Sequence, residues 1–193
     1  MKIGIVRHFK VNCPAPKYMN SDDFIEYQRK YDIESVIENE VELDENMWPV
    51  CFCSTLPRAV TTAERIYHGN MIKTDLLREV PMSPPRRLNH RIPGFIWSAD
   101  ARFAWFRNHK SQKEGAVQTK KRVNKFLEMI DFDSDQNVLI VSHGFVCFTL
   151  VRTLKKRGFK GEIPVHIRNG QLYILDNSNA LKSAKINKIK KAK

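Results

Sequence analysis

Arg7-His8 and Ser142-His143-Gly144 each follow an apolar run, Ile3-Gly4-Ile5-Val6 and Val138-Leu139-Ile140-Val141, so each histidine stands at the end of an expected strand. A third run, Val50-Cys51-Phe52-Cys53, passes through Ser54-Thr55-Leu56-Pro57 into Arg58-Ala59 and an expected helix. In an open α/β sheet, ligands bind in the crevice beyond the carboxyl ends of the strands. Two imidazoles and two guanidiniums, those of His8, His143, Arg7 and Arg58, therefore converge on one rim. Guanidinium is planar, always charged and matched to phosphate oxygens. A neutral imidazole can attack phosphorus and hold the group covalently, splitting one hard displacement into two. In such a transfer the charge spreads over three equatorial oxygens, and the protein mainly positions and stabilises it. Arg58 near a helix start adds positive charge to an end that is already positive, a placement that an anion offsets.

The elements that must position these residues can be read coarsely. Strand 2–6 leads into a loop rich in Pro and Lys (13–18), then a helix capped by Ser21 and running to about Ile37. Strand 50–53 and helix 57–67 follow, with Ser54 or Thr55 as cap and Pro57 in the first turn. Next come strand 72–77 and an irregular segment, 81–93, carrying Arg86, Arg87, His90 and Arg91, which reads as a solvated loop. The aromatic segment holding Phe95, Trp97, Phe103, Trp105 and Phe106 reads as a packing helix, some of whose rings can wall a pocket. A helix over 114–129 with Val117, Val123, Phe126, Leu127 and Ile130 on its apolar face, and a strand over 171–175, complete the series. Alternating strands and helices of this kind give an α/β fold.

The ordered set Arg7-His8, Ser54-x-Leu56-x-Arg58-Ala59-x-x-Thr62-Ala63, Glu79 and Ser142-His143-Gly144 resembles the motifs of the histidine phosphatase superfamily, also called phosphoglycerate mutase-like, over about residues 1–176. The resemblance implies a three-layer α/β/α sandwich with a mostly parallel central sheet. It implies His8 as nucleophile, Arg7, Arg58 and His143 around the transferred group, and Glu79 as the acid that protonates the leaving group and then activates water. By residue type alone Asp75 and Glu64 compete with Glu79 for that role. After Arg-His the superfamily usually has Gly and then Glu-Thr, whereas this chain has Phe9 and then Lys10-Val11. Phe9, Lys10 and Gly144 join Arg7, Arg58 and His143 as the expected substrate-binding set. The short chain and the missing mutase-type contacts favour a phosphatase acting on a phosphomonoester, with neither metal nor other cofactor. A phosphomutase and a non-catalytic phospholigand-binding module are the alternatives, and the intact nucleophile argues against the latter.

Other chemistries find little support. Cys51 and Cys53 alternate with Phe52 and share one strand face, without the partner pair a zinc site needs, so they read as core thiols. Four cysteines and no secretion signal point to a reduced, cytoplasmic protein. No apolar run approaches the roughly 20 residues of a membrane span. His68, His90, His109 and His166 have no partners in the pattern. Length and composition, 42% hydrophobic and 28% charged, fit one catalytic domain over 1–180. The formal net charge of +12 falls to +6 without the six lysines after Asp176. The segment 181–193 is therefore expected to be a disordered, Lys-rich tail giving only weak, salt-sensitive contact with polyanions, while the oligomeric state is not legible.

Overall fold

A computed structural model describes residues 1–177. The chain runs β1 (Lys2–Arg7), β2 (Lys10–Val11), β3 (Tyr18–Met19), α1 (Ser21–Ile33), β4 (Val36–Ile37), β5 (Val50–Ser54), α2 (Pro57–Ile66) and β6 (Met71–Thr74). It continues through β7 (Ile92–Pro93), α3 (Gly94–Phe106), α4 (Ala116–Leu127), β8 (Val138–Ser142), α5 (Gly144–Lys156) and β9 (Leu172–Asp176). Five strands form the central sheet in the order β6-β5-β8-β1-β9. The first four are mutually parallel, and β9 pairs antiparallel with the outer edge of β1.

A parallel sheet is covered on both faces, which is why its strands read as near-continuous apolar runs. Successive side chains take opposite faces. Ile3, Ile5, Phe52 and Ile140 pack with Val123, Phe126 and Leu127 of α4 and Val146, Leu150 and Leu154 of α5. Val6, Cys51, Cys53, Leu139 and Val141 pack on the other side with Ala59, Ala63 and Ile66 of α2 and with Trp48. The result is the three-layer α/β/α arrangement. Gly4 is required by this second layer, since a Cβ there would lie 2.7 Å from the Trp48 ring. A smaller core of Met19, Phe24, Trp97 and Ala101 joins α1 to α3 beside the sandwich. Among the described residues no helix is long and apolar enough to cross a membrane.

Several boundaries differ from the sequence reading. Asn20, rather than Ser21, caps α1: its side chain accepts the N–H groups of Asp22 and Asp23, and Asp23 returns a bond to the Asn20 N–H. The helix stops at Ile33 instead of Ile37, because β-branched Val36 and Ile37 form a strand against Lys10-Val11. Neither Ser54 nor Thr55 caps α2. Leu56 occupies that position without a side-chain cap, and Ser54 Oγ accepts the Leu56 N–H at 3.2 Å instead. The expected strand 72–77 ends at Thr74, whose hydroxyl accepts the Leu76 N–H and starts a 3-10 turn over Asp75–Leu77. Val117 lies on the exposed side of α4, not on its apolar face. In α3 Trp97 and Trp105 are buried while Phe95, Phe103 and Phe106 are exposed. The expectation for the tail, 181–193, lies outside the described residues.

Candidate active site

The carboxyl ends of β1, β5 and β8 come together at one end of the sheet. Just after β1, the His8 N–H donates to the Ser142 carbonyl at 2.9 Å, tying the first histidine junction to the second. The His8 ring is buried, with Nδ1 at 2.5 Å from the Phe9 carbonyl oxygen. A carbonyl only accepts, so Nδ1 carries the proton and Nε2 keeps its lone pair. The loop that does this is itself held. The Phe9 N–H donates to Thr62 Oγ1 (2.8 Å), whose hydroxyl donates to the Arg58 carbonyl (2.7 Å), and Asn169 Nδ2 donates to the His8 carbonyl (2.6 Å). Burial above all, then the Arg58 charge and to a lesser degree that of Arg7, brings His8 from 6.5 down to about 3.

His143 stands at the start of α5 with its ring centroid 5.0 Å from that of His8. It is fully buried, and its Nε2 lies 2.7 Å from Ser54 Oγ. Burial, the neighbouring His8 and the charges of Arg58 and Arg7 hold it well below the ordinary histidine range. Both imidazoles are therefore neutral at working pH.

The two guanidiniums are anchored at one nitrogen each. Arg7 Nη1 donates to the Ile167 carbonyl at 3.0 Å. Arg58 Nη1 pairs with Asp32 at 2.9 Å, while its guanidinium lies 5.2 Å above the Tyr31 ring. Their Nε–H groups, like His143 Nδ1, are buried and meet no acceptor or donor among the described residues. Buried polar groups in native proteins nearly always have partners, so three such atoms at one site mark it as built for a ligand rather than for stability. Two cationic donors select an anion.

Glu79 follows the 3-10 turn, its Oε1 accepting the Val80 N–H (2.9 Å) and its Oε2 facing the Phe145 N–H of α5 (3.4 Å). Burial raises its pKa, opposed by those two N–H groups and by the charges of Arg58 and Arg7. A Cβ on Gly144 would touch both Arg7 Cζ (3.5 Å) and Glu79 Oε2 (3.6 Å), which places the acid beside the guanidinium at the helix start. All of this opens into a cavity of about 1220 Å³, of which Arg7, His8, Arg58, Glu79 and Gly144 form part of the wall.

The chain matches the model of the histidine phosphatase superfamily (branch 1) over residues 40–185. It belongs to that superfamily. Comparison with curated protein sequences gives no significant match. Solved structures share the fold. The product of the open reading frame Rv3214 of Mycobacterium tuberculosis is 16% identical, with 90% of this chain and 89% of that one covered at a TM-score of 0.53. A mycobacterial glucosyl-3-phosphoglycerate phosphatase in complex with VO3 is 19% identical, covering 91% and 90% at 0.52. A phosphoserine phosphatase from Entamoeba histolytica in complex with 3-phosphoglyceric acid is 13% identical, covering 90% and 89% at 0.51.

Within this superfamily chain the expected site residues do not all reach the cavity. Arg7, His8, Arg58, Glu79 and Gly144 line it, and His143, its ring tilted against that of His8, is not part of the wall. Phe9 and Lys10, expected to bind substrate, do not line it. The Phe9 ring is buried in the core beneath α2, and only its carbonyl serves the site, while Lys10 faces solvent on β2. Of the competing acids, Asp75 lines the cavity but accepts the Thr55 hydroxyl and pairs with Arg78 at 3.5 Å. Glu64 pairs with Lys73 at 2.9 Å and is not part of the wall. Sequence reasoning missed Tyr31 and Asp32 on α1, the Arg122–Glu114 pair (2.9 Å) and His166, all in the cavity wall. Tyr31 and Asp32 lie 27 and 26 residues from Arg58, and no local pattern connects them to it. The four cysteines are free and buried, and burial raises Cys51 and Cys147 and pushes Cys53 up to about 12, which keeps these three thiols protonated.

Proposed function

We propose that this protein is a phosphatase that hydrolyses a phosphomonoester in two steps through a phosphohistidine on His8. The observation that carries the reading is the neutral, buried His8. Its proton is fixed on Nδ1 by the Phe9 carbonyl, which leaves the lone pair on Nε2, and the two guanidiniums beside it have buried Nε–H groups with no partner among the described residues. In the first step Nε2 forms a bond to phosphorus while the ester P–O bond breaks, and the leaving oxygen takes a proton from the Glu79 carboxylic acid. In the second, Glu79 as carboxylate takes a proton from water, the hydroxide oxygen bonds to phosphorus, and the P–N electron pair returns to Nε2. The raised pKa of Glu79 suits both duties. Arg7 and Arg58 supply the positive charge on the equatorial oxygens, so the proposed chemistry needs no metal. The volume of about 1220 Å³ leaves ample room beyond a phosphoryl group for an organic moiety, which fits a phosphorylated small molecule.

The acid role is tested by leaving-group dependence. Glu79→Gln is expected to lower kcat/KM, which reports the step that expels the leaving group, by about 10²-fold for alkyl phosphates while sparing that for p-nitrophenyl phosphate, whose leaving group needs little protonation. An equal, slight loss on both would transfer the role to another residue, with Asp75 next in line. A panel of phosphorylated metabolites assayed in chelator identifies the substrate class, and turnover that required an added divalent metal would contradict the proposal.

A further inference from the structure

We infer that the exposed face of α3, together with Val165 across the cavity mouth, is a docking surface for an anionic phospholipid bilayer. Such docking is independent of the reaction proposed at His8. The helix buries one side through Trp97, Ala101, Ala104 and Trp105. Its other side carries three large apolar rings, Phe95, Phe103 and Phe106, which are 74%, 65% and 63% exposed. At 3.6 residues per turn Phe95 and Phe106 lie within about 20° of one another around the axis and about 16 Å apart along it, with Phe103 between them. Side chains exposed to this degree project from the surface instead of lining a recess. Val165, 86% exposed, shares the cavity wall with Phe103 and Phe106, so projecting apolar groups stand around one mouth. Single exposed apolar residues are ordinary, whereas a row of large ones on one helix face marks an interaction surface.

Charge selects the partner. Between Arg86 and Lys113 seven arginines and lysines stand against one acid, Asp100, so this segment holds half of the chain's net charge of +12. Asp100 is occupied by Arg86 at 3.1 Å, and the ion pairs among the described residues do not involve Arg102, Arg107, Lys110 or Lys113. The Arg107 guanidinium lies instead 5.7 Å from the centre of the Phe103 ring, so that a cation and an apolar ring are presented together. A second copy of this chain would set the same positive charge against itself. A nucleic acid strand calls for a channel that its backbone can follow, and the rings here project from a helix. A bilayer meets both features: rings that project enter the boundary between headgroups and acyl chains, and flanking cations are drawn to anionic headgroups. Docked in this way, the mouth between Phe103, Phe106 and Val165 faces the headgroups.

Flotation of the full-length protein with vesicles of phosphatidylglycerol and phosphatidylcholine mixed about one to two, in about 0.15 M salt, tests this against vesicles of phosphatidylcholine alone. Wild type is expected to partition onto the anionic vesicles at least about tenfold better than onto the neutral ones. The triple change Phe95→Ser, Phe103→Ser and Phe106→Ser is expected to weaken anionic binding by about tenfold or more, and the double change Arg107→Glu and Lys110→Glu by a similar factor. All five positions are exposed, and every protein in the series keeps the lysines after Asp176, so any contribution from those lysines is common to all. Wild type that stays off the anionic vesicles overturns the inference, and that measurement needs no variant to fold. A triple-serine variant that binds them as wild type does overturns it too. So does a dimer that the three serines dissociate, which would give the face to a second copy, or a single-stranded RNA held more tightly than the vesicles with the same dependence on the three phenylalanines, which would give it to a nucleic acid.

Discussion

The inner end of the cavity and its outer wall are built from different material. At the inner end, Arg7, His8, Arg58 and His143 sit at strand ends or in the first turn of α2, half-buried to fully buried, each fixed by a bond to the backbone or to a neighbouring side chain. The outer wall is made by α1, α3 and the segment near Val165, where Phe103, Phe106 and Val165 are 65%, 63% and 86% exposed. In the proposed reaction, chemistry that depends on sub-ångström placement falls to groups mounted on the sheet, and contact with the rest of the substrate falls to helices held by a small satellite core. Preorganised charge at the inner end should therefore govern kcat, and the outer wall should govern only how well a particular substrate is held.

The largest expected effect breaks the inner end. Arg58→Ala removes a charged donor and leaves Asp32 unpaired, so kcat/KM for any phosphomonoester should fall by about 10³-fold or more, with inhibition by vanadate weakened in parallel. A loss of less than tenfold would mean that the transferred group does not sit against this guanidinium.

A smaller effect concerns stability and acid. A histidine held below its unfolded value contributes no penalty above pH 6.5. As pH falls further, the unfolded chain takes up a proton that the folded one refuses, so stability declines until the folded value of about 3 is reached. At pH 5 this amounts to about 2 kcal/mol for one imidazole that stays neutral. Glu79, raised above its usual value, gives the opposite slope as pH falls toward 4.5. Urea titrations at pH 7 and pH 5 should thus show a smaller acid destabilisation in His8→Gln than in wild type, by about 2 kcal/mol. Identical slopes would show that His8 protonates normally in the fold.

The smallest expected effect is at the outer wall. Phe103→Ser with Phe106→Ser should leave kcat on a small alkyl phosphate within about threefold and stability within about 0.5 kcal/mol, as is usual for exposed positions, while KM for bulky esters rises. A collapse of kcat comparable to that of Arg58→Ala would erase the distinction between the two regions.

The same division explains what could be read from the sequence. β1, β5 and β8 were legible because both their faces are buried and each apolar run stops near the strand's end, while the half-exposed edge strand β6 was read three residues too far. The junction residues followed, since strand ends in such a sheet point into one crevice. The path of 21–37 misled, because helix-compatible spacing continues past Ile33, and only the distant Lys10-Val11 strand shows why Val36 and Ile37 turn extended. Phe9 misled for a related reason: its place in the chain suggests a substrate contact, whereas its ring fills the layer under α2. The outer wall was least legible. Tyr31 and Asp32 meet Arg58 only after α1 folds back over α2, and packing of that kind leaves no local signature.

The central claim is covalent chemistry at His8. Wild-type protein mixed with a turned-over phosphomonoester and quenched in base, which preserves phosphohistidine, should carry acid-labile phosphate that mass spectrometry maps to His8, and His8→Ala should carry none and turn nothing over. Phosphate found on another residue, or full turnover by His8→Ala, would contradict the account.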